Sequence, residues 1–473
     1  MYSAGVDVGG SSVKVWLFDD RIGVVASEEI RTPVIRSSDD RVEADPKVLW
    51  SAVSAGLQRV LGTSRRELVE LAGISVTSLR QGFVLVGSEG ELGPAILNSD
   101  RRGSSQLKIL ESRIGRETLY RITGHWLAPE LTLPKLMHIA QEEPDRWAAT
   151  NTVLFLHDWL VWKLCGARTS EMSFVCAGQL ADVGARDWAW EILDALELPR
   201  SRFATVCESG QIAGNVNRES ALLIGGLLAG TPVVTGGADA QMAAMGLGGL
   251  GPGSITVVAG SSTPVQVATS HPVQDPMCRP WVSTHLERGL WAAETNVGYP
   301  GTMLGWLRQI TSAAGEVKAR LPHGGSRVIS LIAHPHWTER VWSTRSPSAI
   351  LGLKETTTAE ELVLAGLEAH AFGIRSNVED LVAVVPEGCK RILLCGGAAR
   401  SVVAILANVL NRPIEISDEN IPAAFAAAAL VERAHGNSHG SRCAPVTEVC
   451  PTAPFAYEEA YGAYLHAYDH EYQ

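Results

Sequence analysis

The sequence predicts an α/β protein of two domains, and three observations predict it. The chain has 473 residues, whereas single domains run about 100–200 residues. Hydrophobic residues make up 46% and charged residues 19%, the balance of an ordinary globular protein with a full core in each half. One local pattern also returns four times, at residues 4–18, 233–245, 254–267 and 391–405. It is an apolar strand, a glycine turn, a small polar residue, then a strand or a helix.

Taken in order, Ala4–Val8 and Val13–Phe18 read as two strands around the turn Gly9-Gly10-Ser11-Ser12, with Gly23–Ala26 as a third. Pro46–Leu61 has helical spacing, with Val48, Leu49, Ala52, Val53 and Leu57 on one face. Leu71–Thr77 and Gly82–Val86 read as buried strands, and residues 130–165 as helices, with Leu154–Leu160 a strand or turn feeding one of them. Gly225–Pro232 is rich in breakers and sets the division between domains 1–230 and 231–473. Val233-Val234-Thr235 is then a strand and Gly236-Gly237 a sharp turn. Ala423–Val431 reads as a buried helix, and the tyrosines of Ala456–Tyr468 as a helical packing face.

Charge narrows the function. A net charge of -11 and a pI near 5.7 argue against nucleic acid as a partner. They leave anionic small molecules open, because backbone N–H groups hold phosphates without lysines. The first residues do not read as a secretory signal, and no apolar run approaches the roughly 18 residues of a membrane span. Eight cysteines without a CxxC pair read as reduced thiols of a cytoplasmic protein.

The glycine turns carry the chemistry. In Asp7–Lys14, glycines permit the hairpin, and Gly/Ser donors gather in one concavity suited to a phosphate oxygen; a plain hairpin fits as well. Gly236–Gln241 opens a helix at Asp239, which is either an N-cap or a base. Gly260-Ser261-Ser262 ends a strand, and Gly396-Gly397-Ala398 ends another and opens a helix. Neither G-x-G-x-x-G nor a Walker A loop is present. Four such turns, shared between two halves, suit a clamped nucleotide.

In chain order these segments resemble the FGGY carbohydrate kinases, the sugar-kinase branch of the actin/hexokinase superfamily. Asp7–Lys14 is similar to the family's first phosphate motif, D-x-G-T-x-x-x-K, with Gly10 where threonine is usual. Gln81-Gly82 and Pro94–Arg102 resemble its sugar-site segment, and Thr169–Trp188 its stretch ending in RDW. Gly237–Asp239 matches the site of the catalytic aspartate. Gly260–Ser262 resembles the second phosphate motif, and Gly396–Ala398 with Ser401 the adenosine motif. His336–Arg340 through Leu353 resembles the second signature.

The resemblance implies two RNase H-like (actin-like ATPase) domains with a cleft between them, ATP and Mg2+, and a small polyhydroxylated substrate phosphorylated at a terminal hydroxyl. It implies Asp239 as general base and Mg2+ near Asp7 and Asp239, mostly through water. Gly9, Gly10, Ser11, Ser12, Lys14, Gly260, Ser261, Ser262, Gly396, Gly397, Ala398 and Ser401 would then hold ATP. Arg80, Gln81, Asn98, Asp100 and Gln241, with Glu130 behind them, are the residues suited to a sugar, since hydroxyls are read by carboxylates, amides and guanidinium groups. Xylulose kinases usually carry Met-His where this chain has Leu79-Arg80, which looks more like the glycerol, erythritol and autoinducer-2 kinases. A pentulose kinase, an ATPase of the actin or chaperone type and a non-catalytic sensor are the alternatives. A homodimer is compatible with all of them.

Overall fold

The computed structural model describes residues 1–37, 40–62, 70–311, 328–338, 348–417, 421–437, 443–453 and 455–472. The chain forms two compact units. The first holds Met1–Gly246 with Val282–Leu290 and Ile421–Cys443; the second holds Leu247–Trp281, Trp291–Asn420 and Ala444–Gln473.

The first unit is built on β1 (Tyr2–Val8), β2 (Ser12–Asp19), β3 (Gly23–Arg31), β4 (Leu71–Ser78), β5 (Ile212–Asn215) and β6 (Pro232–Ala238), in the order β5-β6-β4-β1-β2-β3. β1, β2 and β3 form an antiparallel meander, because short turns join them. β4 lies parallel to β1 and β6 parallel to β4, each reached by a longer crossover, while β5 is an antiparallel edge. The helix Pro46–Gly62 makes the first crossover. Its apolar positions Leu49, Val53, Leu57, Val60 and Leu61 are buried at helical spacing, and they join Val6, Val15, Ile74, Val76 and Trp159 in one core. The helix sits close: a Cβ on Gly56 would meet Val15 at 2.7 Å.

The sequence-based division at 230/231 falls inside this unit. β6, which follows the breakers, completes the first sheet, and the helix Asp239–Gly246 packs on the helix Pro422–Ala434. That late helix is the expected buried one. It is rich in alanine because it must lie close, with Phe425 edge-on to Phe18 at 5.1 Å. Gly236-Gly237 is not a turn. It lies within β6, where the pairing register shifts. A small antiparallel sheet, including Val42–Ala44, Phe83–Val86, Ala95–Ile96 and Thr152–Phe155, holds the segments around Gln81 and Asn98.

The second unit repeats the plan with β7 (Ser254–Val258), β8 (Pro264–Thr269), β9 (Trp291–Asn296), β10 (Arg391–Cys395), β11 (Ile414–Ile416) and β12 (Thr447–Val449). They run β9-β8-β7-β10-β11-β12. Again there is a meander, then two parallel strands, then an antiparallel edge. The repeated turn pattern of the sequence is thus a repeated topology, the actin-like arrangement expected. The helix Ala359–Val384 crosses from β9 to β10 and starts at a capping box, Thr358 with Glu361. Tyr457, Tyr461 and Tyr464 surround Phe372 at 5.4–6.1 Å, so the C-terminal tyrosines are a packing face. Residues 339–347 of the second signature lie outside the described residues. No helix among the described residues is long and apolar enough to cross a membrane.

Candidate active site

Ligands of parallel sheets bind beyond the carboxyl ends of the strands. In the first unit β1, β4 and β6 end at one level, since Val8 pairs with Ser78 and Ser78 with Ala238. Beyond or at these ends lie Asp7, Arg80 and Asp239.

Asp239 opens its helix, and its Oδ1 accepts the N–H of Ala240 at 2.8 Å. Arg80 Nε stands 3.7 Å from the same oxygen. Burial raises the carboxyl's pKa, while Arg80 and then the Ala240 N–H pull it down. The side chain nevertheless retains 45% of its exposure, so solvent screens part of that raise. Asp239 is thus the first residue of its helix, with Oδ1 on the neighbouring N–H rather than in an N-cap bond to the second or third turn residue, and with part of the carboxylate open.

Asp7 pairs across the hairpin with Lys14. Its Oδ1 is buried and has no protein partner. Burial first, then the charge of Asp239, pushes its pKa up to about 7, against the pull of Lys14. An orphaned carboxylate oxygen beside a second carboxylate fits a hard cation, and Mg2+ typically takes one or two carboxylates with water and phosphate oxygens for the rest. No cluster of three or more His, Cys, Asp or Glu suited to a metal occurs among the described residues, which leaves this pair as the donor set.

The turn after β1 offers fewer donors than its sequence suggests. The Gly9 N–H closes the hairpin onto Ser12 O at 2.9 Å, and the Ser12 hydroxyl bonds Glu29 at 2.7 Å. Gly10 and Ser11 are exposed at the tip.

Of the sugar candidates, Arg80 is already placed. Gln81 takes the left-handed conformation, φ +59°, and its carbonyl accepts from Thr132 and Lys135 at 3.2 and 3.3 Å. Gln241 Nε2 donates to Thr284 O at 2.9 Å, leaving its buried Oε1 without a protein partner. Glu130 stands 3.1 Å from Arg101 Nε.

Asp100 requires a correction. It is fully buried and accepts four hydrogen bonds, from Val42 N, Arg102 N, Arg102 Nε and Arg102 Nη2 at 2.7–3.1 Å. Burial raises its pKa, but the Arg102 bonds and charge outweigh that and hold it low. No surface remains for a hydroxyl, so Asp100 is a structural residue.

Two neighbours went unnoticed in the sequence. Lys135 is fully buried, and its Nζ bonds the carbonyls of Gln81, Leu97 and Asn98 at 2.8–3.4 Å. It ties together the two segments that carry Gln81 and Asn98, and burial holds its pKa down to about 7. A lysine set among Leu133, Pro134, Leu136 and Met137 was the available signal. His125 is buried, and burial, with the nearby Arg80 charge, lowers its pKa to about 4. It therefore stands neutral beside Arg80. Nothing in its sequence context sets it apart.

In the second unit, parallel β7 and β10 end side by side, with Val258 opposite Cys395. Their turns, Gly260–Ser262 and Gly396–Ala398, are therefore neighbours. Gly396 has φ +103°, and a Cβ there would lie 2.6 Å from Ala259 O; only glycine fits. The Ala398 N–H donates to Ala259 O at 2.9 Å and the Gly260 N–H to Val258 O at 2.9 Å, so both face inward. Ser261, Gly396 and Gly397 are exposed. Ser401 Oγ accepts from Arg308 at 3.3 Å.

Comparison with known proteins identifies the family. Residues 2–246 match the N-terminal domain of the FGGY family of carbohydrate kinases, and residues 255–434 its C-terminal domain. The chain is 27% identical over 443 residues to the autoinducer-2 kinase of Escherichia coli K12, covering 88% of this chain and 82% of that one. The autoinducer-2 kinase of Photorhabdus laumondii is 26% identical over 444 residues, with the same coverage. A xyloylose kinase structure from Brucella ovis superposes with a TM-score of 0.89 at 26% identity, over 99% of each chain. The glycerol kinase of Plasmodium falciparum with ADP shares the fold, with a TM-score of 0.88 at 15% identity over 100% and 98% of the two chains. Matched in order by both halves of one family, the chain belongs to the FGGY carbohydrate kinases and is a phosphotransferase.

Proposed function

We propose that the protein transfers the γ-phosphoryl group of ATP to a terminal hydroxyl of a small open-chain sugar or polyol, with Asp239 as general base. The observation that carries this is the carboxylate of Asp239 at the end of β6, part exposed and 3.7 Å from Arg80. Burial raises the pKa of this carboxyl, and the Arg80 charge opposes that rise. The Ala240 N–H fixes one oxygen, which leaves the other to take the hydroxyl proton. Such help is worth roughly 10²–10⁴-fold.

Phosphoryl transfer has a loose transition state, so positioning and charge neutralisation supply most of the rate. Asp7 and Asp239 would hold Mg2+ through water, and Mg2+ would neutralise the phosphate charge. Arg80, Gln81 and the free Oε1 of Gln241 would meet the hydroxyls of the acceptor, with neutral His125 beside them. Lys135 holds the backbone of this pocket in register. Each unit by itself has turns suited to nucleotide phosphates or ribose: the exposed Gly10 and Ser11, with Lys14 behind them, in the first, and Gly260–Ser262 and Gly396–Ala398 with Ser401 in the second. The likeness to autoinducer-2 kinases and the arginine at position 80 support the glycerol, erythritol and autoinducer-2 kinase branch over a typical xylulose kinase.

The test is an ADP-release assay with glycerol, erythritol, xylitol, D-xylulose, D-ribulose, D-fructose, sorbitol and myo-inositol. Release that requires one of the open-chain compounds supports the reading. Release at the same rate without any acceptor would replace it with an ATPase of the actin or chaperone type.

A further inference from the structure

β6 reaches Asp239 through a bulge. Thr235 pairs with Val76 and Ala238 with Ser78, so three steps along β6 match two along β4. Gly236 lies hard against β4: a Cβ there would sit 1.9 Å from Val76 O. The extra residue takes backbone groups out of the ladder, and buried amides must then find partners elsewhere.

Side chains supply those partners. Thr77 Oγ1 donates to Gly237 O at 2.6 Å. The Gly236 N–H donates to His157 Nε2 at 3.2 Å, and the Ala238 N–H donates to Ser173 Oγ at 3.0 Å. Each of these two acceptors is held in turn by a buried carboxylate. His157 Nδ1 meets Asp158 Oδ1 at 2.8 Å, and the same oxygen accepts the Glu171 N–H at 3.0 Å. Ser173 Oγ bonds Glu171 Oε2, while Ser209 donates to Oε1 at 2.8 Å. His157, Asp158, Glu171 and Ser173 are all buried.

The polarity of this network is determined. Nε2 of His157 receives the Gly236 proton and so carries none, which puts the ring proton on Nδ1, facing Asp158. Ser173 has one hydroxyl proton, and once Glu171 ionises, as the pH rises through about 7, its carboxylate can only accept, so the hydroxyl donates to it. The lone pairs of Ser173 are thereby turned to Ala238. The carboxylates fix the direction of both acceptors, and both acceptors bind within three residues of Asp239. An unbulged strand with apolar neighbours would serve stability at least as well, since buried ionic groups rarely add to it. What the network does add is the aim of the residue that follows, as bulges beside active sites do.

We propose that Ser173 and His157, oriented by Glu171 and Asp158, are positioning residues that aim Asp239 through the β6 bulge. This rests on the reading of Asp239 as the base. Four variants test it in the full chain, with the best acceptor of the panel above and with Asp239→Asn in parallel. Ser173→Ala removes the acceptor for Ala238, and Ser173→Thr keeps a hydroxyl. His157→Asn keeps an N–H for Asp158 but does not reach Gly236, whereas His157→Gln puts an oxygen where Nε2 stands.

Ser173→Ala and His157→Asn are expected to lower kcat by on the order of 10–100-fold, the scale of a misplaced catalytic group. KM for ATP and acceptor should stay within about 2-fold, because only the transition state is affected. Ser173→Thr and His157→Gln should recover most of the loss. Unchanged kcat in the Ala and Asn variants overturns the proposal, as does a joint change of kcat and KM that Thr and Gln fail to rescue. Calorimetric ATP binding confirms that each variant is folded, and the His157 pair decides if Ser173→Ala does not fold. An active Asp239→Asn removes the base reading, whereas an inactive Asp239→Asn beside a fully active Ser173→Ala removes only the positioning.

Discussion

The two units share a topology and differ in what stands beyond their parallel strands. In the first unit the strand ends carry ionisable groups: Asp7 on β1, Arg80 after β4 and Asp239 after β6. In the second, the residues after β7 and β10 are Ala259-Gly260-Ser261-Ser262 and Gly396-Gly397-Ala398-Ala399, with no ionisable side chain among them. The same sheet therefore provides two places of different character. One concentrates charge, the character that handling a proton or a cation would require. The other brings bare backbone up to whatever binds it. Topology supplies the place, and the two or three residues after each strand decide its chemistry.

The sharpest way to break this contrast is to neutralise the charged end. Asp239→Asn should lower kcat by roughly 10²–10⁴-fold while leaving the calorimetric affinity for ATP nearly unchanged. Retained turnover would show that the charge at the end of β6 is not the base, and the two units would then differ in decoration only.

The second largest effect separates pocket from frame within the first unit. Asp100→Ala takes from the buried Arg102 its fully buried carboxylate partner and leaves it Glu43 and Glu143. Breaking such a pair costs about 3–5 kcal/mol, so thermal unfolding should shift down by many degrees. The acceptor KM of whatever folds should change little. A large rise in that KM with unaltered stability would return Asp100 to the sugar site.

The contrast itself was partly legible in the sequence. Three of the four glycine segments marked the ends of β1, β7 and β10 and the fourth lies just inside the end of β6; at Gly236 and Gly396 close backbone approach requires the glycine, and glycine is visible. Asp7 and Asp239 stood next to such turns and could be singled out. Asp100 looked like a pocket residue because a carboxylate followed by two arginines reads the same whether it faces solvent or a buried guanidinium. Its role depends on Val42 and Glu43, distant in sequence and joined to it only by the small antiparallel sheet. Lys135 and the His157–Asp158 and Ser173–Glu171 pairs were hidden for the same reason, since a polar residue in an apolar run shows its partners only once the chain has folded. The bulge in β6 was read as a turn because Gly-Gly signals both, and only the register against β4 tells them apart.

The neutral end has its own test. Gly396→Ala puts a side chain at φ +103° and 2.6 Å from Ala259 O. The strain is about 1–3 kcal/mol, to be read as a lower unfolding midpoint and a raised KM for ATP, with the acceptor KM unaffected. Gly397→Ala, where a Cβ meets nothing within 4 Å, is the control and should keep the wild-type midpoint. Equal effects at both positions would mean that backbone approach is not what these glycines provide.

The smallest effect concerns pH, and it tells the two ends apart through stability. Beneath the charged end, burial raises Glu171 from 4.5 to about 7, with His157 and the Ser173 and Ser209 hydroxyls pulling it down and Asp158 pushing it further up. A folded-state pKa above the unfolded value means that the folded protein binds this proton more tightly. The associated stability is fully present below about pH 4.5 and is lost as the pH rises through about 7. Glu171→Gln does not titrate, so its unfolding midpoint relative to wild type should move in its favour by a few degrees between pH 5 and pH 8, whatever constant offset the lost hydrogen bond adds. A midpoint difference that stays flat, or that runs the other way, would place the ionised Glu171 in a more polar setting than the buried network beneath β6. Gly396→Ala, measured alongside, should show a difference from wild type that does not vary with pH, because no titrating group lies in the turn it distorts.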